Sequence, residues 1–152
     1  KKYYYEFNGL NARLDTIQSI VLLEKLKNFK KQLIKRNQIA KQYHHYLKNQ
    51  KNIKLIKIPN KYYCAYPLFN ILTNNRNKLA KYLLVKNIPT RIYYPLPLNK
   101  QRIFNKYDIS KTPISEKISK KILSLPFHIN LKNTEIRFIT TSIMNFFNLN
   151  RN

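Results

Sequence analysis

The sequence is poor in glycine and in cysteine, with one of each in 152 residues. A lone cysteine excludes an internal disulfide and leaves no cysteine cluster for zinc, so we interpret Cys64 as a small buried hydrophobe. No apolar run approaches the roughly 18 residues that a membrane span needs, and no early segment resembles a signal peptide. We therefore expect a cytoplasmic protein with no membrane partner and no metal site.

Acidic residues are also scarce, at 6 against 30 basic residues, which gives a formal charge of +24. Such a charge attracts polyanions, so a basic nucleic-acid-binding module remains an alternative. However, the 23 lysines, 20 asparagines and 19 isoleucines all have A/T-rich codons, and the lysines are scattered along the chain. Codon bias explains this composition as well, and no RNP, zinc-finger or helix-turn-helix signature is present. We expect no nucleic-acid partner.

The length and the 43% hydrophobic content fit one folded domain. Apolar residues at steps of three and four predict a long helix from about Leu14 to Leu47, with a possible break at Asn28. Ile53–Ile58 and 62–72 are predicted to form antiparallel strands. The later predictions are a helix over 75–86, a strand over 88–93, a helical turn over 101–106, a helix over 114–123 and a last helix capped by Asn133.

This order of elements predicts an α+β fold, in which a long N-terminal helix precedes a short, mostly antiparallel sheet with helices packed on one face. We divide the chain into a linker and long helix over residues 1–50 and an α+β subdomain over residues 51–152. Both parts belong to one small domain.

The single glycine, Gly9, stands just before the long helix in the segment Asn8-Gly9-Leu10-Asn11-Ala12-Arg13. Glycine is used where a backbone position tolerates no side chain. Free N–H groups at a helix start attract phosphate, and Asn11 and Arg13 are both anion-binding residue types. A helix cap at Asn11 and a surface ion pair from Arg13 to Asp15 or Glu24 are the plain alternatives.

Three ordered motifs resemble the DegT/DnrJ/StrS-type sugar aminotransferases. Gly9–Gln18 is similar to the family's G-x-N-x-R-[LM]-D-x-[IL]-Q, and Ile88–Leu98 to its G-I-x-T-x-x-H-Y-P-x-P-L. Pro113–Glu116 followed by Ile122–His128 is similar to P-V-[SA]-E and the later L-S-L-P-[ML]-H. The resemblance implies the C-terminal small domain of a fold-type I enzyme that depends on pyridoxal 5'-phosphate.

The resemblance also implies roles for particular residues. Asn11 corresponds to an asparagine that reaches the cofactor phosphate of the other subunit of a homodimer, and Arg13 to an arginine near anionic groups of the substrate. Tyr93 and Tyr94 fall in the segment that lines the nucleotide-sugar pocket. Tyr93 stands where the family usually has histidine, and Asn99 stands where a second histidine is often found.

The family's catalytic lysine and most of its cofactor-binding residues belong to a large domain upstream of these motifs, and no matching motif occurs here. We therefore expect no catalytic residue in this chain and no transamination by the chain alone. The resemblance implies that a complete enzyme of this kind moves an amino group from glutamate to a nucleotide-linked keto-sugar for polysaccharide or surface-glycan synthesis. An inactive product of a degraded aminotransferase gene is a further alternative.

Overall fold

The computed structural model describes residues 12–59, 61–104 and 111–149, and divides the chain into the units Lys1–Gln32 and Leu33–Asn152. Helix α1, Thr16–Leu47, is continuous through the boundary between them. The long helix is therefore confirmed, while the break at Asn28 is wrong.

The described part of the first unit is a short segment without regular structure and the start of α1. The amide and the hydroxyl of Ser19 both donate to the carbonyl of Asp15, at 2.8 and 2.9 Å, and so begin the helix. Many large apolar side chains of this unit are exposed, and they are Leu14, Ile17, Ile20, Val21, Leu22, Leu23, Leu26 and Phe29.

The core of the second unit is built on the C-terminal half of α1. Tyr43 is fully buried, stacks on Phe69 at 4.7 Å between ring centroids, and donates its hydroxyl hydrogen to the carbonyl of Pro126 at 2.8 Å. The other large side chains with almost no exposed surface are Ile39, Leu47, Ile71, Leu79, Leu83, Leu123, Ile136 and Ile143. They come from every layer of the unit, so a single core joins the helices to the sheet.

Three antiparallel strands form the sheet in the order β1-β2-β3, with β1 at Lys54–Leu55, β2 at Phe69–Leu72 and β3 at Ile122–Leu125. The antiparallel pairing of the first two strands is confirmed, although both are shorter than predicted. All four residues of β3 are buried, so this strand lacks the apolar–polar alternation of a half-exposed strand.

Helix α2, Arg76–Val85, confirms the predicted helix and ends in a Schellman motif. Asn87 adopts a left-handed conformation with φ of 57°, and its amide donates to the carbonyl of Leu84 at 2.9 Å. The amide of Ile88 donates to the carbonyl of Leu83 at the same distance, which satisfies a second free carbonyl of the helix.

In the middle of the chain, one predicted strand is wrong and one predicted helix is present but shorter. The segment 88–93 is not a strand, because only Arg91 makes an isolated bridge, to Ser124. The helix predicted over 114–123 is α3 at Pro113–Ser119, and the residues after it turn into β3. The helical turn predicted over 101–106 is a 3-10 turn at Arg102–Phe104 within the described residues.

The last helix, α4 at Asn133–Leu149, confirms the predicted helix. Asn133 is its first helical residue rather than its cap. The carboxylate of Glu135 accepts a hydrogen bond from the amide of Lys132 at 2.7 Å, which is one half of a capping box. Its buried face includes Ile136 and Phe147.

Candidate functional site

The candidate site is built around the proline-rich segment 90–101, which two hydrogen bonds fasten to the sheet. The amide of Arg91 donates to the carbonyl of Ser124 at 3.1 Å, and the amide of Ser124 donates back at 2.8 Å. The hydroxyl of Ser124 also donates to Asn70 Oδ1 at 2.6 Å. Pro95 and Pro97 lack backbone donors and keep the rest of the segment from pairing as a strand.

Tyr93 and Tyr94 follow this anchor and both reach the surface. Their exposed fractions are 39% and 74%, and their ring centroids lie 5.7 Å apart in an edge-to-face arrangement. The peptide bond between them is cis. Two exposed rings in contact present flat faces and hydroxyl groups to whatever binds beside them.

The two tyrosines line an open cavity of about 1090 Å³, here named the tyrosine cavity. Its remaining walls come from the segment after the tyrosines, from α3 and from the start of β3. These lining residues are Leu96, Pro97, Leu98, Asn99, Gln101, Phe104, Thr112, Ser115, Ile118, Ser119 and Ile122. A mostly apolar wall with a few polar groups is typical of a small-molecule site.

A small polar network stiffens one wall of the tyrosine cavity. Asn99 Nδ2 donates to Glu116 Oε1 at 3.2 Å, and Lys100 Nζ lies 3.6 Å from the same oxygen. The amide of Asn99 lowers the pKa of the Glu116 carboxyl, and the positive charge of Lys100 lowers it further, while partial burial opposes both. Glu116 is therefore held as a carboxylate that accepts hydrogen bonds.

The residues predicted near the helix start belong to the first unit. Asn11 lies outside the described residues. Arg13 is described and exposed. The ion pairs found within residues 12–59, 61–104 and 111–149 are Lys27–Glu24 and Lys100–Glu116. In this part of the chain, Arg13 therefore does not make the ion pair with Asp15 or Glu24 that was the alternative to anion binding.

The other candidate groups are dispersed. His44 is half-buried, with 5.3 Å between the centroids of its ring and that of Phe69, whereas His45 and His128 are exposed. Burial lowers the pKa of His44. Cys64 is a free cysteine that is only partly buried and lies outside the strands, so the interpretation as a buried residue is not confirmed.

In the part of the chain that the structure describes, no three or more of the residues His, Cys, Asp and Glu are grouped closely enough to hold a metal ion. None of its helices combines the length and the apolar character needed to cross a bilayer.

Comparison with protein families gives a match to the DegT/DnrJ/EryC1/StrS aminotransferase family over residues 1–144. The chain belongs to this family. A Pseudomonas aeruginosa relative, UDP-2-acetamido-2-deoxy-3-oxo-D-glucuronate aminotransferase, is 31% identical over 145 residues, which cover 95% of this chain and 40% of the relative. The chain thus spans about two fifths of the length of that relative.

Two further family members show the same coverage. The dTDP-3-amino-3,6-dideoxy-alpha-D-galactopyranose transaminase of Aneurinibacillus thermoaerophilus is 31% identical, over 94% of this chain and 39% of its own. The crystal structure of a DegT/DnrJ/EryC1/StrS aminotransferase from Brucella abortus superimposes with a TM-score of 0.86 and 34% identity, over 96% of this chain and 39% of that one. The predicted family and α+β fold are confirmed.

Proposed function

We propose that the chain forms the substrate-facing wall of an aminotransferase that acts on a nucleotide-linked keto-sugar. The observation that carries the proposal is the tyrosine cavity, which is built from the family's proline-rich segment. The relatives named above act, by their names, on UDP-linked and dTDP-linked sugars. A cavity of about 1090 Å³ has room for a sugar with part of its nucleotide.

The two tyrosines supply the contacts of this proposal. Tyr94, at 74% exposed, offers a ring face for stacking on a sugar or base, and the adjacent Tyr93 fixes one edge of that ring. Their hydroxyls are donors and acceptors for ligand hydroxyl groups. The apolar walls, including Leu96 and Ile118, exclude water from the bound sugar and so strengthen its few polar contacts.

The described wall of the tyrosine cavity does not fit pyridoxal 5'-phosphate. The cofactor needs a lysine for its Schiff base and a carboxylate at its pyridine nitrogen, and the described lining residues include neither lysine nor acid. We therefore assign no step of amino transfer to these residues. Under the proposal the catalytic lysine is supplied from outside the 152 residues, and Asn11 binds the cofactor phosphate of a partner subunit.

The proposal extends to the assembly and the reaction. The exposed apolar side chains at the start of α1, such as Leu22 and Leu26, support a homodimer in which this helix lies at the interface. Arg13, whose guanidinium is exposed, is proposed to bind anionic groups of the substrate. The proposal is completed by glutamate as the amino donor, by a role in surface-glycan synthesis and by a cytoplasmic location. These three parts rest on the family resemblance.

Binding tests this function without requiring catalysis. We expect the 152-residue chain to bind UDP-N-acetylglucosamine saturably in a calorimetric titration at physiological salt, and Tyr94→Ala to weaken that binding. Tyr62→Ala is the matched control, because Tyr62 is 61% exposed but does not line the tyrosine cavity. The proposal would be contradicted if the chain did not bind the nucleotide sugar but bound an oligonucleotide in a sequence-dependent way at this salt concentration.

A further inference from the structure

Unpaired polar atoms are concentrated at the tyrosine cavity. Among the described residues, three buried side-chain oxygens have no hydrogen-bond partner: Gln42 Oε1, Asn99 Oδ1 and Thr112 Oγ1. Asn99 and Thr112 both line the cavity. Buried polar groups are nearly always paired, because an unpaired one loses its bonds to water without replacement. Two such oxygens at one wall indicate a place where an outside group completes the bonding.

The orientation of the Asn99 amide follows from its neighbours. Asn99 Nδ2 donates to Glu116 Oε1 at 3.2 Å, and a carboxylate can only accept hydrogen bonds. The nitrogen must therefore face Glu116, and the amide oxygen must point the other way. Lys100, 3.6 Å from the same carboxylate oxygen, helps to hold Glu116 in place. Asn99 consequently presents a fixed acceptor.

The neighbouring hydroxyl groups do not supply the missing donor. Ser119 Oγ donates to the carbonyl of Glu116 at 3.0 Å, so its hydrogen is already used. The Thr112 hydroxyl can both accept and donate, and it forms no hydrogen bond within the structure. Asn99 thus offers a fixed acceptor, and the Thr112 hydroxyl offers a group that can accept or donate a hydrogen bond. Both lie in a wall that is otherwise mostly apolar.

We propose that Asn99 Oδ1 and Thr112 Oγ1 form a polar subsite that receives hydrogen bonds from the hydroxyl or amide N–H groups of the sugar ring. This inference rests on the proposed function and identifies the part of the ligand that the wall recognises. The two oxygens are themselves buried, whereas Asn99 and Thr112 are only partly buried and line the tyrosine cavity. A sugar that lacks a donor at this point leaves the oxygens unpaired and binds less tightly.

Isosteric variants of the two residues test the subsite. We expect Asn99→Leu and Thr112→Val each to weaken the binding of UDP-N-acetylglucosamine about tenfold in calorimetric titrations, because each removes one hydrogen-bonding group. Binding of UDP, which has no sugar, is expected to stay within about twofold of wild type. Gln42→Leu is the matched control, because it removes the unpaired oxygen that lies away from the cavity. Circular dichroism establishes that each variant is folded.

The possible results separate the subsite from the broader function. If both variants bind UDP-N-acetylglucosamine as wild type does, the subsite is refuted and the nucleotide-sugar function stands. If the affinity for UDP falls by the same factor, the residues do not recognise the sugar, and the subsite is again refuted. If neither ligand binds the wild-type chain saturably, both proposals fall.

Discussion

Removal of the Tyr43 hydroxyl tests whether the core is organised as described. Tyr43 is fully buried, and its hydroxyl donates to the carbonyl of Pro126 at 2.8 Å, just after β3. Tyr43→Phe keeps the ring stacked on Phe69 but removes the hydrogen bond from the buried hydroxyl to that carbonyl. We expect a loss of about 1–2 kcal/mol in the free energy of unfolding. For a chain of this size, that corresponds to a fall of roughly 3–8 °C in Tm.

Tyr46→Phe is the control, because it removes a hydroxyl from the same helix at a less buried position. The Tyr46 hydroxyl accepts a hydrogen bond from Arg137 Nε at 3.0 Å, where water can replace it. The expected cost is under about 0.5 kcal/mol. Both variants are measured by urea unfolding followed by circular dichroism. Equal losses in the two variants would refute the reasoning, since burial of the bond would then have no effect.

Three further predictions concern titration and the helix end. Burial against Phe69 lowers the pKa of His44, so the unfolded chain takes up the proton before the folded chain does as pH falls below about 6.5. Wild type should therefore lose stability below this pH, and His44→Gln should lose less. Urea unfolding at several pH values measures both losses. Asn99→Leu should raise the carboxyl pKa of Glu116, followed by ¹³C NMR, because the amide that stabilises the carboxylate is gone. Asn87→Ala should destabilise by about 1 kcal/mol in thermal unfolding, because alanine is strained at positive φ.

Each of these predictions has a matched control. For the histidine it is His45→Gln, which removes the same side chain from an exposed position on the same helix. For Glu116 it is Gln42→Leu, which lies away from the carboxyl group. For the helix end it is Asn87→Gly, which should be at least as stable as wild type. The histidine prediction is contradicted if His44→Gln has the same pH dependence of stability as wild type. The Glu116 prediction is contradicted if the titration midpoint of its carboxyl group does not change. The helix-end prediction is contradicted if Asn87→Ala and Asn87→Gly are equally stable.

Local patterns predicted the helices better than the strands. Helices α1 and α4 follow from apolar spacing alone, although α1 buries its apolar face only in its C-terminal part, from Ile39 to Leu47. The first two residues of β3 were predicted as the end of the helix 114–123. All four residues of Ile122–Leu125 are buried, and a short apolar run of this kind does not distinguish a strand from a buried helix segment. The pairing of β3 with β2, four residues in register, depends on contacts far away in the sequence.

The candidate site was predicted only in part, because some of its contacts join residues that are far apart in the sequence. The motif around Pro95 and Pro97 drew attention to the tyrosines, which do line a cavity. The substitution at Asn99 was visible in the sequence, but its hydrogen bond to Glu116, 17 residues away, was not. Nothing in the sequence marked Thr112, since an unpaired hydroxyl becomes evident only once its surroundings are folded.

The most direct test of the central claim is a ¹H–¹⁵N NMR titration of the chain with UDP-N-acetylglucosamine at physiological salt. The account predicts saturable shift changes concentrated on the residues of the tyrosine cavity, including Tyr93 and Asn99. Non-saturating changes spread over the lysine-rich surface, and lost as salt increases, would instead indicate general attraction of a phosphate group to a chain of charge +24. That result would contradict a specific nucleotide-sugar site.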